Sequence, residues 1–457
     1  MGSISPFPAF LTWPDGVGRL RLAELLGALS HALDTTEGQP VGHAIRVTFI
    51  GCEIGQRLGI MGDALHDLYY ALLLKDLGCS SNAARICQLY LAHDQDFKQA
   101  FKLVDGTTRS ALQFLVQQTA RGGSVVTRAK TLINVIRDAS RIVDDLIETR
   151  CEQGAAIARI MGFSDSVVQG IHALDEHWDG SGRPDHRIGA AIPLAARIAL
   201  VAQVADVFMT NDSATAACDE ITGRRGTWFD PEIADVAVAV LSDRAVLAQL
   251  AAPDLAAHVF AHPAAEQDLA LDDAKLDQII AGFARVIDAK SPFTQNHSQR
   301  VANYVDHLTT TLGFSPPSQQ WLHRSALLHD IGKLGVPNAI LDKPGKLDPD
   351  ERRVIERHTL TGQNILCQIG IFAQVGQLAA AHHERLDGAG YPRHLTAAQL
   401  SMDVRVLTTA DIFDALSAER PYKPALPPDQ VRAIMDSMVG TAIDAACYDA
   451  LRATLLA

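Results

Sequence analysis

The sequence contains few aromatic residues, fewer positive than negative charges, and no closely spaced pair of cysteines. Phe, Trp and Tyr together make up 6% of the 457 residues. Strands favour aromatic and β-branched residues, whereas the abundant Ala, Leu, Gln and Arg favour helices or tolerate them well, so the composition predicts an all-α protein. Since 47% of the residues are apolar, the chain can bury the cores of two or three domains.

The deficit of positive charge limits the partners of the chain. Lys and Arg number 40 against 53 Asp and Glu, which gives a formal net charge of -13. An acidic surface repels the phosphates of DNA and RNA, so no polymeric nucleic acid is expected as a partner. A small anionic substrate stays compatible with this charge, because bound divalent metals reverse the sign of the local field.

Cysteine pairs and long hydrophobic runs are also missing. The seven cysteines include no CxxC pair, which argues against a disulfide framework or a zinc ribbon and predicts reduced thiols in the cytoplasm. The first residues, MGSISPFPAF, lack the charged and apolar regions of a secretory signal. The most apolar stretch, 189–209, carries Arg197, Gln203 and Asp206. A membrane span rarely tolerates such residues, so no membrane association is expected.

One set of motifs occurs twice in the chain. The matching pairs, in chain order, are GHAIRV (42–47) with NHSQRV (296–301), LLLKDLG (72–78) with LLHDIG (327–332), HWDGSGRP (177–184) with RLDGAGYP (385–392), and VADVF (204–208) with TADIF (409–413). Lys75 follows His43, and His329 follows His297, at the same spacing of 32 residues. The shared order and spacing predict a duplicated domain.

The repeat divides the chain into two domains and a connector. We assign residues 1–242 to the first copy and 276–457 to the second. An Ala- and Asp-rich linker with isolated prolines joins them at 243–275. In the second copy, apolar residues recur at helical spacing. The helices predicted from this spacing are 276–289, 298–312, 318–330, 348–369, which opens with the capping-box pair Asp348 and Glu351, and 371–383.

Histidines and aspartates of the second copy have the pattern of a metal centre. His329 and Asp330 are adjacent, and neighbouring side chains on a helix point about 100° apart. Both therefore reach one centre only at the side or end of the helix, or when one of them bridges two metals. A carboxylate offers two oxygens, which makes Asp330 the natural bridging ligand. The other candidates are the isolated His297 and His358, and the adjacent His382 and His383 beside a glycine-rich loop.

With these motifs in place, the run from 290 to 424 resembles the HD-GYP phosphodiesterases, a branch of the HD metal-phosphohydrolase superfamily. The matching stretches are HSQRV (297–301), LLHDIGKLGVP (327–337), ILDKPGKL (340–347), IERHTLTG (355–362), HHERLDGAGYP (382–392) and TADIFDALSAERPYK (409–423). The resemblance implies two tandem HD-type helical domains. It also implies hydrolysis of cyclic dinucleotides, chiefly cyclic di-GMP, at a centre of two or three metals.

The resemblance also assigns roles to individual residues of this chain. One metal is expected on His297, His329, Asp330 and Asp411, and the second on His358, His382 and His383 with Asp330 shared. This donor set suits iron(II) or manganese(II), and also accepts nickel or zinc. Two such metals can hold a bridging hydroxide as the nucleophile. The residues expected to contact the substrate are Lys333, at the scissile phosphate, and Tyr391, Arg420 and Lys423, at the nucleotide.

Two positions depart from the family pattern. Some members carry a glutamate four residues before the first histidine, where it recruits a third metal, and this chain has Phe293 there. Phe cannot ligate a cation, so two metals are expected. Many members have an aspartate six residues before that histidine, and this chain has Ser291. This second change affects the expected substrate more than the expected catalysis.

The first copy lacks most of these groups. The replacements are Lys75-Asp76 for the His-Asp pair, Leu174-Asp175 for the His-His pair, Arg183 for Tyr391 and Cys79 for Lys333, while His43, Asp76 and Asp206 survive. A lysine ammonium donates hydrogen bonds only and repels a cation. We therefore expect a non-catalytic first domain with a structural or regulatory role. A different metal site rebuilt from His93, His172, His177 and His186 stays open as an alternative.

The leading prediction is a cyclic-dinucleotide phosphodiesterase that gives a linear product. Cyclic di-GMP leads as substrate. The second is 3′3′-cyclic GMP–AMP, because a degenerate HD domain before an HD-GYP domain resembles some enzymes that act on that molecule. The rivals are a catalytically silent dinucleotide receptor and a nucleotide phosphohydrolase of the wider HD superfamily. Family resemblance further suggests a GGDEF-type synthase that contacts the GYP loop, and a homodimer is also compatible with the sequence.

Overall fold

A computed structural model describes residues 10–14, 20–102, 104, 108–120, 125–265, 271–419 and 425–455. Within these residues the secondary structure consists of helices and isolated bridges, with no strand, which confirms the prediction of an all-α protein. The chain forms two compact units. The first unit is Arg19–Leu271, and the second combines Asp272–Ala457 with Met1–Gly18. The described part of the predicted linker up to Leu271, which is 243–265 and Leu271 itself, therefore belongs to the first unit.

The first unit is built from helices that bury their apolar faces in more than one hydrophobic cluster. Their bounds are α1 Leu22–Thr36, α2 His43–Arg57, α3 Asp63–Leu73, α4 Ala83–Tyr90, α5 Asp94–Phe101, α6 Thr108–Gln118, α7 Val125–Arg137, α8 Ala139–Ile160, α9 Asp165–His172, α10 Leu194–Asn211, α11 Ala214–Gly223, α12 Pro231–Leu241, α13 Arg244–Leu250 and α14 Leu255–Phe260. The last two helices occupy part of the sequence predicted as a linker.

Helix α10 is the one helix of the described residues that is long and apolar enough to cross a membrane, judged by length and composition. Of this helix, 61% is buried inside the protein. Its Arg197 donates to Asp230 at 2.6 Å, and Asp206 lies buried on the same helix. Burial and paired charges are the marks of a core helix, in agreement with the sequence prediction.

The second unit repeats this plan with fewer helices. Their bounds are α15 Asp273–Asp288, α16 His297–Thr311, α17 Pro316–Leu328, α18 Asn338–Leu341, α19 Pro349–Glu356, α20 His358–Leu366, α21 Ala373–Ala381, α22 Met402–Ser417, α23 Pro428–Met438 and α24 Ala445–Leu455. A short 3₁₀ helix, Ile331–Gly335, follows α17. The capping box of Asp348 and Glu351 is present at the start of α19.

The predicted helix 348–369 is wrong in one respect, because it breaks at Arg357 into α19 and α20. Two side chains donate hydrogen bonds to backbone carbonyls at the end of α19. Nδ1 of His358 donates to the Ile355 carbonyl at 2.6 Å, and Oγ1 of Thr359 donates to the Glu356 carbonyl at 2.9 Å. These bonds satisfy carbonyls that a continuing helix would satisfy with its backbone, so the helix can end there.

A pair of glycines lets two elements cross closely in each unit. A Cβ on Gly332 would lie 1.9 Å from the carbonyl oxygen of His358, and a Cβ on Gly78 would lie 1.9 Å from the carbonyl oxygen of Arg150. Only glycine fits such a crossing. The shared crossing makes Arg150 the structural counterpart of His358.

Residues 10–14 pack on the second unit rather than the first. The backbone N–H of Leu11 donates to Asp403 at 2.8 Å. The ring of Trp13 stacks on Trp321 with centroids 5.9 Å apart, and the Trp321 indole donates to the Pro14 carbonyl at 3.2 Å. The predicted first domain of 1–242 therefore does not describe this N-terminal segment, which belongs to the unit that carries the predicted site.

Candidate active site

Four of the predicted ligand histidines of the second unit present Nε2 to one buried point, and these are His297, His329, His358 and His382. His329, His358 and His382 each donate Nδ1–H to the carbonyl three residues earlier, at 2.7, 2.6 and 2.6 Å. His297 donates its Nδ1–H to Asp414 at 2.7 Å. A donor at Nδ1 fixes the tautomer and leaves the Nε2 lone pair free for a metal.

Asp330 lies at the point where these histidines converge. Its Oδ2 is 3.3 Å from Nε2 of His297 and 3.4 Å from Nε2 of His329. Its Oδ1 is 3.4 Å from Nε2 of His358 and 3.6 Å from Nε2 of His382. One oxygen thus faces each pair of imidazoles, which is the arrangement expected of a carboxylate that bridges two cations.

Asp411 and His383 complete the group. Asp411, on α22, lies 3.5 Å from Nε2 of His297 and 3.7 Å from Nδ1 of His383. The side chain of His383 is the more accessible of the two, with 23% exposure against 10% for Asp411. The predicted ligands converge in three overlapping sets, which are His297 with His329 and Asp330, His329 with His382 and Asp411, and His358 with His382 and His383.

The electrostatics of this group favour bound cations. Burial alone would raise the pKa of Asp330, but His329 and Lys333 beside it hold the pKa well below its usual range. Burial, followed by the neighbouring imidazoles, lowers the pKa of His382 and His383 well below the usual histidine value. The carboxylate is therefore ionised and these imidazoles are neutral, which are the ligand forms that metals require.

Unpaired polar atoms show that the residues fit a metal pair. Nε2 of His297, His329, His358 and His382 and Oδ1 of Asp330 are buried and have no hydrogen-bond partner. Buried polar atoms are rarely left without a partner, and each such case costs about 1–3 kcal/mol. Five of them around one point fit divalent cations with nitrogen and oxygen ligands.

Lys333 sits beside this centre in the 3₁₀ helix. Its Nζ donates to Oδ2 of Asp330 at 2.5 Å, and its side chain is 14% exposed. It is accordingly the cation that borders both the buried carboxylate and the solvent. Lys333 therefore lies beside the predicted ligands, and its contact with the scissile phosphate stays a prediction.

A buried carboxylate, that of Glu384, accepts hydrogen bonds from the backbone at the end of the glycine-rich loop that follows the His-His pair. Glu384 is 1% exposed and accepts the backbone N–H groups of Arg393 at 2.7 Å and Leu395 at 2.9 Å. The loop places the Tyr391 ring 4.8 Å from the His383 ring. Burial raises the pKa of Tyr391, which keeps its hydroxyl protonated. Sequence reasoning missed Glu384, although it follows the histidine pair directly.

The remaining predicted substrate contacts are only partly visible. Arg420 and Lys423 lie outside the described residues. At the two positions that depart from the family pattern, Phe293 is partly exposed and Ser291 is buried, with its Oγ 2.5 Å from Asp342. Ser291 therefore uses its hydroxyl within the protein, toward a carboxylate of the loop after α18.

In the first unit a lysine ammonium stands in the corresponding centre. Nζ of Lys75 lies 3.1 Å from Nε2 of His43 and also pairs with Asp76. In the second unit, Nε2 of His297, which matches that of His43, has no hydrogen-bond partner. Burial and then Lys75 lower the pKa of His43 to about 4. The ammonium of Lys75 supplies the positive charge that a metal would supply in the centre of the second unit.

The other counterparts are equally altered. Arg150 replaces His358 and pairs with Asp175, which replaces His383. Cys79, the counterpart of Lys333, has its Sγ 3.5 Å from Asp76. One cluster of possible ligands remains, namely Glu37, Asp76 and Cys79. The Glu37 carboxylate of this cluster is already paired with two lysines. Lys102 lies 2.8 Å from it and Lys98 lies 3.3 Å from it.

The structure corrects the sequence match of Asp206 with Asp411. Asp206 accepts from Nδ1 of His43 at 2.6 Å and from Arg46 at 2.6 Å. Asp414 makes the same two contacts, with His297 at 2.7 Å and Arg300 at 2.6 Å. The surviving aspartate is therefore the counterpart of the orienting Asp414, and not of a ligand. The residue at the place of Asp411 is Gln203.

The four histidines suggested as a rebuilt metal site in the first unit do not form a cluster of ligands. His177 stacks on Trp228 with centroids 4.1 Å apart and contacts Ser181 at 2.9 Å. His172 lies 3.7 Å from Asp185. Among the residues that the structure describes, no group of three ligand atoms includes His93, His172, His177 or His186.

Comparisons with known proteins agree with this geometry. The family described as HD domain matches residues 130–233 and 282–447. The 3'3'-cGAMP-specific phosphodiesterase 3 of Vibrio cholerae serotype O1 is 48% identical over 434 residues, which cover 95% of this chain and 94% of that protein. The cyclic di-GMP phosphodiesterase response regulator RpfG of Xanthomonas campestris pv. campestris is 36% identical over 176 residues, 38% of this chain and 47% of that protein.

A solved structure extends the similarity to both units. The crystal structure of a cyclic GMP-AMP specific phosphodiesterase of V. cholerae, V-cGAP3, has a TM-score of 0.64 and 44% identity, covering 96% of this chain and 98% of that chain. The chain therefore belongs to the HD-GYP family of HD-domain phosphodiesterases. The predictions of this family and of an enzyme of this class are confirmed.

Proposed function

We propose that the second unit hydrolyses a cyclic dinucleotide, with 3′3′-cyclic GMP–AMP as the preferred substrate. In this reaction water adds to one phosphorus, one phosphorus–oxygen ester bond breaks, and a ribose hydroxyl and a terminal phosphate form on a linear dinucleotide. The observation that carries the proposal is the convergence of four histidine Nε2 atoms on the buried Asp330, each within 3.6 Å of one of its oxygens.

The residues that would hold two divalent metals are those named from the sequence. His297, His329 and Asp411 would form one side and His358, His382 and His383 the other, with Asp330 between them. When bound, the metals would lower the pKa of a shared water and polarise the phosphate oxygens. The nitrogen-rich donor set supports iron(II) or manganese(II), with nickel and zinc as alternatives.

The protein's own groups would orient the phosphate, contact the nucleotide and hold a ligand histidine in place. Lys333 would donate to a non-bridging oxygen of the scissile phosphate and balance the charge that develops there. Tyr391, held beside His383, would contact the nucleotide through its protonated hydroxyl. Asp414 would keep Nδ1 of His297 occupied and so keep Nε2 directed at the centre.

The choice of substrate rests on the relatives. The motifs alone favoured cyclic di-GMP, but the relative that matches both units over 95% of this chain is named for 3'3'-cGAMP. RpfG, named for cyclic di-GMP, matches 38%. The relative that shares the complete two-unit arrangement is thus the one named for 3'3'-cGAMP. This similarity supports 3′3′-cyclic GMP–AMP as the preferred substrate, with cyclic di-GMP as a weaker substrate.

The two rival functions fit the site less well. A silent receptor has no need for imidazoles whose tautomers are fixed for metal binding. A nucleotide phosphohydrolase of the wider superfamily would not explain the loop that carries Tyr391 beside His383. Contact with a GGDEF-type synthase through this loop and a homodimer stay as proposals about partners.

We also propose that the first unit is non-catalytic and free of metal. Lys75 and Arg150 provide internal cations at positions where the second unit has His329 and His358, and Asp76 is already paired with Lys75. None of the seven cysteines, all of which lie within the described residues, forms a disulfide, and four are buried, which supports a reducing cytoplasmic location.

The proposal is tested by turnover of purified protein reconstituted with iron(II) or manganese(II) without oxygen. Cyclic di-GMP and 3′3′-cyclic GMP–AMP are offered in separate reactions, and the linear products are quantified by chromatography. We expect a higher kcat/KM for 3′3′-cyclic GMP–AMP. A higher kcat/KM for cyclic di-GMP would reverse the substrate assignment, and binding of either dinucleotide without cleavage would favour the receptor.

A further inference from the structure

The first unit carries a segment that the second unit lacks. Gly154 follows Gly78 by 76 positions, whereas Gly362 follows Gly332 by 30, although both pairs form the same close crossing. The longer connection includes the helices α4 to α7. None of these helices contributes a residue to the proposed chemistry, so a separate role has to be sought for them.

Helix α7 is held on the unit by one side. Val135 is 2% exposed and belongs to a cluster with Ile86, Tyr90, Phe97, Phe114, Ile142 and Leu146. Arg128 lies toward α6 and donates to the Val116 carbonyl at 2.5 Å. These contacts account for the position of the helix and leave its opposite side to solvent.

That opposite side is an apolar stripe, which we call the α7 stripe and which consists of Val126, Ala129, Ile133 and Ile136. Its members recur at intervals of three, four and three residues. Val126, Ile133 and Ile136 are 64%, 65% and 48% exposed. The spacing is that of the a and d positions of two heptads, with β-branched residues at a. Single exposed apolar residues are ordinary, whereas an aligned row marks an interaction site.

A basic edge accompanies the α7 stripe. Lys130 and Arg137 are exposed and both fall at heptad position e, the position whose charge selects the partner helix. Arg137 donates to the neighbouring Asp138 at 3.0 Å, a surface pair of the kind that contributes little and can be exchanged for another carboxylate. Residues 108–137 contain five Lys and Arg and no Asp or Glu, in a chain with a net charge of -13. The positive charge is therefore concentrated locally, against the overall sign of the protein.

A second copy of this chain does not fit the stripe. If two α7 helices paired antiparallel, the e positions would face each other and bring Lys130 and Arg137 against the same cations. If they paired parallel, each e position would face a g position, and these are Val125 and Leu132. Neither arrangement supplies a negative charge.

A membrane surface fits less well than a helix. Helices that lie in lipid headgroups have a broad apolar face with Trp, Phe or Leu. Among the α7 side chains that the structure describes, the exposed apolar residues are those of the α7 stripe, because Leu132 beside it is partly buried. The stripe contains no aromatic residue and is narrower than such a face. The favoured occupant is therefore a helix with acidic flanks.

We propose that α7 is a docking helix for an acidic helical segment of another protein. Apolar residues of that segment cover the α7 stripe, and its Asp or Glu side chains pair with Lys130 and Arg137. The surface is distinct from the phosphodiesterase centre in sequence and chemistry, and it does not depend on which dinucleotide is cleaved.

The test uses the full chain and two synthetic helical peptides with apolar residues at a and d. One peptide has Glu at e and g, and its matched control has Lys at those positions. We expect saturable binding of the Glu peptide by fluorescence anisotropy, at least about tenfold weaker for Ile133→Glu. The double variant Lys130→Glu/Arg137→Glu should prefer the Lys peptide. A far-UV circular dichroism spectrum and a thermal unfolding transition like those of the wild type show that each variant has folded.

Three results would overturn the proposal. The first is that the wild-type chain binds neither peptide, or binds both equally. The second is a dimer in sedimentation that Ile133→Glu dissociates, which would make a second copy the occupant. The third is binding to vesicles that contain phosphatidylglycerol, lost in Ile133→Glu, which would make an anionic membrane the occupant.

Discussion

Asp414 accepts the Nδ1–H of His297 at 2.7 Å, and so determines which nitrogen of that imidazole faces the metal centre. Burial alone would raise the pKa of Asp414, but its bonds with His297 and Arg300 lower it to about 2. The same relationship persists in the first unit between Asp206 and His43, although no metal is expected there. The pair is thus a feature of the fold that the second unit uses for chemistry.

We expect Asp414→Asn to weaken metal binding. The amide can present its NH₂ to Nδ1 and remove the charge that fixes the tautomer. Loss of such an outer partner typically lowers metal affinity or activity about 10–100-fold. Metal content after dialysis against a chelator series measures the effect. Asp206→Asn is the matched control, and an equal loss of metal in both variants would contradict the account.

Glu384 offers a second comparison between the two units. In the first unit Glu176 accepts backbone N–H groups of Asp185 at 2.7 Å and Arg187 at 3.0 Å, as Glu384 does for Arg393 and Leu395. Changing either residue to Gln places an amide donor against a backbone donor and costs about 1–3 kcal/mol. Both variants should therefore unfold at a lower temperature.

Only Glu384→Gln should also change catalysis, because the loop that Glu384 binds carries Tyr391 and follows His383. We expect kcat/KM to fall about tenfold or more in Glu384→Gln and to stay near the wild-type value in Glu176→Gln. Steady-state kinetics at a temperature well below both unfolding transitions separate the two effects. Equal kinetics in the two variants would limit Glu384 to a structural role.

Lys333→Ala should separate metal binding from catalysis. The side chain contacts Asp330 but is not a ligand, so metal content should stay close to that of the wild type. Removal of one donor to the charge that develops on the phosphate typically lowers kcat about 10²–10³-fold. Elemental analysis and turnover on the same preparation measure both quantities. Retention of full kcat would remove Lys333 from the mechanism.

A buried carboxyl of the first unit gives a prediction for pH. Burial raises the pKa of Asp34 from 3.8 to about 7. Its stabilising contribution is therefore fully present below pH 3.8 and is lost as the pH rises through about 7, because the folded chain must release a proton at a buried site. Relative to Asp34→Asn, the wild type should lose thermal stability from about pH 4 to about pH 7. A difference independent of pH would contradict the raised pKa.

The sequence predicted the all-α fold and the residues that the structure gathers around Asp330, because ligand histidines stand in motifs with fixed spacing. It missed the break at Arg357, since apolar periodicity continues across 348–369 and the break depends on bonds from the side chains of His358 and Thr359 to carbonyls. Such bonds follow from local geometry that a periodic pattern does not encode.

The sequence also aligned Asp206 with the wrong residue. VADVF and TADIF are alike, but the structure sets them three positions out of register, and Asp206 corresponds to Asp414. A shift of three residues is close to one helical turn, so the apolar pattern of α10 fits both registers. The contacts with His43 and Arg46 decide between them. The counterpart of His358, Arg150, was missed because the added helices α4–α7 separate it from the nearest motif.

The most direct test of the central claim compares Asp330→Ala with Asp76→Ala. Both variants, and the wild type, are reconstituted with the same metal and assayed for turnover of 3′3′-cyclic GMP–AMP and for metal bound per chain. The account predicts that Asp330→Ala loses bound metal and turnover together, while Asp76→Ala keeps both. Turnover that survives in Asp330→Ala, or that is lost along with metal in Asp76→Ala, would show that the catalytic centre lies elsewhere.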